Sequence, residues 1–259
     1  MLPETPQNYT FPAGAAAPIP GFPNLPSVTI DPSKYPALDQ VPPVDSDIVK
    51  QWVSKIDMSK APNVSVNGLN GCTNTTFNAA SIAKSGSDGN CWSTCSGCIR
   101  DTDVTSCPNK GTWGASFDDG PSPYTPSLLQ YLDQKKLKAT FFVVGSRVIS
   151  YPKVLQAEYM SSHQICLHTW SHTSLTTLTN EQIIAEFAWS MKAIKDVIGV
   201  TPNCARPPYG DVDDRVRYIM KSMGLSVILW TSVNGVAFDT EGKHTALSAS
   251  KPSAHVARK

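Results

Sequence analysis

Three short clusters hold the residues best suited to chemistry. Ser116-Phe117-Asp118-Asp119-Gly120-Pro121 sets two carboxylates side by side just before a Gly-Pro turn. One acid can then hold a cation while the other takes a proton; the plainer alternative is a solvated Asp-Gly turn. His168-Thr-Trp-Ser-His172 puts two of the five histidines within five residues. Two neutral imidazoles plus one carboxylate make a usual catalytic zinc set with a position left for water; the alternative is two unrelated structural histidines. Arg206-Pro207-Pro208-Tyr209-Gly210-Asp211 carries an arginine on a backbone that its prolines keep extended. Such an arginine can pair with a carboxylate and orient it, or form a surface ion pair in a plain strand-to-helix loop.

Each cluster is expected at the end of a strand. The strand candidates are Thr112 to Phe117, Ala139 to Val144, Gln164 to His168, Asn203 to Arg206 and Leu225 to Trp230. Helical patterns lie between them: Pro126 to Lys136, Val148 to Met160, a strongly amphipathic stretch capped by Asn180 that runs to Ile198, and Val212 to Met223. This alternation predicts an α/β fold with a parallel sheet, open or closed into a barrel. Chemistry then gathers at the C-terminal edge of the strands.

The rest of the chain reads differently. Residues 1–43 hold eleven of the 21 prolines and are expected to be a disordered, extended tail. Residues 44–110 combine a short amphipathic helix near Asp45 or Ser46 with a cysteine-rich segment, expected to be stapled by disulfides. The αβ domain is assigned to 111–233 and an irregular tail to 234–259. The 22 basic and 21 acidic residues give a net charge of +1, which argues against nucleic acid as a partner. No run approaches the roughly 18 apolar residues of a membrane helix.

Seven cysteines, five of them between Cys72 and Cys107, and sequons at Asn8, Asn63 and Asn74 favour a secreted protein, extracellular or in a cell wall. A zinc knuckle is the alternative for the cysteine cluster, but no second CxxC or flanking His pair completes it. No signal peptide follows Met1, so one is expected to have been removed or to lie outside this sequence.

In this order, SFDDGP, HTWSH and RPPYGD resemble the motifs of the polysaccharide deacetylases of carbohydrate esterase family four, and most of all their fungal chitin deacetylase branch. The surrounding ATFFVVG, HQICLHTWSH and DVDDRVR fit as well. The resemblance covers about Gly111 to Trp230. It implies a distorted (β/α) barrel, here incomplete, and a monomer. It implies a divalent metal, Zn2+ or else Co2+ or another, on Asp119, His168 and His172. Asp118 would be the general base, Arg206 would orient it, and the Tyr209 backbone N–H would help hold the oxyanion. The implied substrate is chitin or a chitooligosaccharide, with Trp170, Tyr209 and Trp230 available to stack on sugar rings.

The chain departs from the family pattern in three ways. Ala205 stands where the family usually has an aromatic residue, the stretch after Trp230 matches the fourth motif poorly, and no Leu-x-His fifth motif is found. These departures keep two other expectations open: a catalytically impaired carbohydrate-binding remnant, and a deacetylase of another polysaccharide such as xylan or peptidoglycan.

Overall fold

The computed structural model describes residues 9–27, 29–87, 90–109, 111–233 and 236–237. Before the sheet lie α1 (Asp47–Val53), α2 (Ala79–Lys84) and α3 (Ser93–Ser96). The sheet region runs β1 (Ser116–Gly120), α4 (Thr125–Gln134), β2 (Thr140–Val143), α5 (Gly145–Ser150), α6 (Pro152–Met160), β3 (Gln164–Leu167), α7 (Asn180–Ile198), β4 (Cys204–Ala205), α8 (Asp214–Ser222) and β5 (Ser226–Val227). The five strands pair in parallel in the order β1-β2-β3-β4-β5. This single winding without reversal is not that of a doubly wound sheet, whose strand order reverses, and it is compatible with the arc of a (β/α) barrel.

The core explains the arrangement. β2 and β3 contribute Phe141, Val143, Ile165 and Leu167, all nearly inaccessible to solvent. Helix α7 lays Ile183, Ile184, Phe187, Ile194 and Ile198 against them, and each such side chain fully buried contributes about 1.5–3 kcal/mol. α7 begins one residue earlier than expected. Thr179, not Asn180, is the cap, because Thr179 and Gln182 exchange side-chain and backbone hydrogen bonds in a capping box. The helix expected over Val148 to Met160 is two helices, α5 and α6. Pro152 cannot continue α5, and it opens α6 instead.

The proline-rich segment is not the disordered tail expected from its composition. Residues 9–27 and 29–43 form an irregular strap along the helices. Leu25 is buried, and Tyr9, Phe11, Ile30 and Tyr35 pack on the core. The strap's own backbone closes on itself through Gly14 N to Leu25 O and Leu25 N to Ala15 O. Proline density excludes helix and sheet, but it does not prevent the apolar residues between the prolines from being buried.

Three disulfides, Cys72–Cys95, Cys91–Cys98 and Cys166–Cys204, take the place of the zinc-knuckle alternative. The first two cross-link the cysteine-rich segment. The third joins β3 to β4. The same segment reaches the sheet at Val104, which lies parallel to β5: its N–H donates to Val227 O, and its carbonyl accepts from Leu229 N. Past β5, β6 (Ser232–Val233) and β7 (Val236–Ala237) form an antiparallel ribbon across the boundary expected at 233/234. Otherwise the tail assigned to 234–259 lies outside the described residues. No described helix is long and apolar enough to cross a membrane.

Candidate metal and hydrolytic site

β1 carries the first cluster, and its pairing with β2 slips between Phe117 and Gly120. At the slip Asp119 adopts a left-handed backbone, φ 68°, and the Gly120–Pro121 peptide is cis. The turn sends adjacent acids in different directions. Ser116 and Asp118, two apart on one strand, share a face, and Arg206 meets both. Its Nη1 donates to Asp118 Oδ1 at 2.6 Å and to Ser116 Oγ at 3.0 Å. The guanidinium also sits over the Phe142 ring, 3.9 Å from its centre, and is almost fully buried. Packed from below and paired from above, the arginine leaves Asp118 little freedom to turn.

Asp119 points the other way. Its Oδ1 lies 3.2 Å from His168 Nε2 and 3.0 Å from His172 Nε2. The three ligand atoms lie within 4.8 Å of one another. His168, at the end of β3, is 2% exposed, and its Nδ1 lies 2.6 Å from the Arg206 carbonyl oxygen. A carbonyl only accepts, so Nδ1 carries the proton, and a neutral ring presents a bare lone pair at Nε2. That lone pair faces a carboxylate oxygen. Two acceptors at this distance repel unless a cation lies between them, so the residues present fit a divalent metal. His163 shows the contrast. It accepts a hydrogen bond from Ala139 N at 3.2 Å, and burial lowers its pKa to about 4. It is a neutral structural histidine.

The loop between the ligands is tightly wound. Thr169 and His172 both have left-handed backbones, φ 65° and 60°, and Thr169 Oγ1 accepts from His172 N. Trp170, expected to stack on a sugar, is instead fully buried. Its indole N–H donates to Ala37 O of the strap, and its ring stacks on Tyr35. Gly145 makes room for it: a Cβ there would lie 2.6 Å from Trp170 Cε3. A residue midway between two ligands that face the cation turns inward and is lost to the groove.

Tyr209 does reach the groove. It is 62% exposed, and its ring lies 4.8 Å from that of His172. The turn Pro208–Gly210 holds it with φ 59°. Trp230 is half-buried against Gly210, where a Cβ would come within 2.7 Å of the indole. Of the sequon residues, Asn63 is exposed, while the Asn74 amide donates to Leu69 O and accepts from Phe77 N. Asn8 lies outside the described residues.

Sequence reasoning passed over three contributors. Ser116 could have been found from its two-residue spacing to Asp118. Glu186, an acid within the apolar stripe of α7, accepts from Trp170 N and Ser171 N. Asp211 accepts from Trp92 Nε1, Thr94, Ser174 and Thr176, and so ties the cysteine-rich segment to the loop after His172.

A family profile described as polysaccharide deacetylase matches residues 105–228. Chitin deacetylase 1 of Cryptococcus neoformans var. grubii is 54% identical over 239 residues, covering 91% of this chain and 49% of its own length. The chitin deacetylase of Amylomyces rouxii is 41% identical over 186 residues, 68% of this chain and 43% of its own. The solved chitin deacetylase of Colletotrichum lindemuthianum overlaps 51% of this chain and 61% of its own at 27% identity, with a TM-score of 0.48. The chain thus spans about half or less of the length of the curated relatives it matches.

Proposed function

We propose that this protein, whose residues 105–228 match the polysaccharide deacetylase family model, is a member of that family and hydrolyses the N-acetyl group of N-acetylglucosamine units in chitin, releasing acetate and leaving a free amine. The reading is carried by one observation: Asp119, His168 and His172 converge beside an Asp118 pinned by Arg206. The relatives named chitin deacetylases support the substrate.

Asp119, His168 and His172 would hold the divalent cation, with zinc the first choice for an imidazole and carboxylate set. When bound, such an ion lowers the pKa of a coordinated water and polarises the amide carbonyl. Asp118 accepts the proton that the attacking water gives up, and Arg206 keeps the receiving oxygen in place. The Tyr209 backbone N–H would donate to the developing oxyanion, a contact that contributes about 3 kcal/mol to the transition state. The rings of Tyr209 and Trp230 offer apolar faces to a sugar. Three disulfides favour an oxidising compartment, hence secretion to a cell wall, with Asn63 and Asn74 as sites for glycans.

The test is acetate release from chitin oligomers by the 259-residue chain with added zinc, with Asp119→Ala as the control. Release that is lost in the variant supports the reading. A folded, zinc-binding chain that releases none would overturn it in favour of a binding remnant, and release from acetylated xylan or peptidoglycan alone would move the substrate.

A further inference from the structure

The proposed cation site depends on a loop that is costly to hold. Thr169 and His172 are non-glycine residues with left-handed backbones, a strained form that persists only where the surroundings enforce it. The enforcing group comes from another element. Glu186 lies in the second turn of α7, fully buried. Its Oε2 accepts from Trp170 N at 2.7 Å and from Ser171 N at 2.9 Å, and its Oε1 accepts from Ser171 Oγ at 2.5 Å. Ser171 Oγ is also 2.7 Å from Thr173 Oγ1. These donors to Glu186, and Thr169 beside them, lie in the stretch between the two histidines.

A buried carboxyl is costly without donors. Here the donors come from a single loop, so the acid and the loop satisfy each other. The acid stands on a 19-residue helix whose neighbouring residues Ile183, Ile184 and Phe187 are fully buried. We propose that Glu186 is a positioning residue that holds the His168–His172 loop in its cation-binding form; this rests on the reading of Asp119, His168 and His172 as a metal site. Glu186 touches neither substrate nor cation. It acts through the backbone that carries His172.

Two substitutions at this position separate positioning from simple filling. In Glu186→Gln the amide oxygen can accept both backbone N–H groups while the amide nitrogen donates to Ser171 Oγ, so the ties survive. In Glu186→Leu the volume is similar and no acceptor remains. Zinc affinity is read by competition with a chromophoric chelator, and thermal unfolding of the zinc-free protein is followed alongside. The glutamine variant is expected to bind zinc within a few-fold of wild type. The leucine variant is expected to bind about 10- to 100-fold more weakly, a loss that its zinc-free stability does not account for.

Zinc affinity in the folded leucine variant equal to wild type would overturn the proposal. If that variant does not fold, Ser171→Ala, which deletes only the Oγ tie, must weaken zinc binding several-fold, and unchanged affinity there overturns the proposal equally. A wild-type chain that binds no zinc would instead remove the metal-site reading itself, and the role of Glu186 with it.

Discussion

Between β1 and β5 the important side chains are placed by backbone pairing and by an apolar core, whereas between residues 61 and 109 they are placed by disulfides and buried charges. In the first region Arg206 and His168 follow strands whose neighbours are Phe141, Val143, Ile165 and Leu167. In the second region the buried apolar side chains are Cys91 and Trp92. That region is held instead by Cys72–Cys95 and Cys91–Cys98, by Arg217 on Asp103, and by Arg100 on Asp214. The two regions meet at residues 210–217, where Asp211 bonds the indole of Trp92 on one side and Thr176 on the other. A core spreads its support over many weak contacts. A stapled segment concentrates it in a few strong ones, so single changes should act differently in the two regions.

The largest expected effect is on chemistry in the sheet region. Asp118→Asn should lower acetate release by about 10²- to 10⁴-fold and lower the melting temperature only modestly, because the amide oxygen can still accept from the buried Arg206. A large loss of stability would break the contrast. Replacing Cys72 and Cys95 together by serine should do the reverse. Removing this cross-link costs about 3 kcal/mol, read by denaturant unfolding, while zinc affinity stays at the wild-type value. If zinc binding falls as well, the staples reach further into the site than the map of contacts implies.

The smallest effect sharpens the picture within the core. His163 has its pKa lowered to about 4, first by burial and then by Lys138, against an unfolded value near 6.5. The unfolded chain therefore binds more protons between these values, and stability falls as pH drops through that window. His163→Gln should flatten this part of the melting-temperature profile, whereas a slope unchanged in the variant would assign it to other groups.

Much of this is legible in the amino-acid sequence. The placing of SFDDGP, HTWSH and RPPYGD after strands is legible because strand ends and turn residues are local signals. Asp118, Asp119, His168, His172 and Arg206 meet as those motifs imply. What was not legible depends on distant partners. Trp170 reads as an available aromatic until Ala37 and Tyr35 cover it. Glu186 reads as an ordinary helix acid, since its donors at Trp170 and Ser171 lie some fifteen residues away. The strap misleads because composition reports which backbone forms are blocked, not which side chains find a surface.

The strap has one more consequence, and it concerns timing. Tyr35 donates to Asp196 across 161 residues of sequence. A ribosome adding about 5–20 residues per second needs roughly 8–30 s to travel that far. For that interval the aromatic and aliphatic groups of the nascent strap have no α7 to rest on. The strap, made before the helix it rests on, is among the last parts to find its place, and any factor that shields emerging apolar chain would find its clients there.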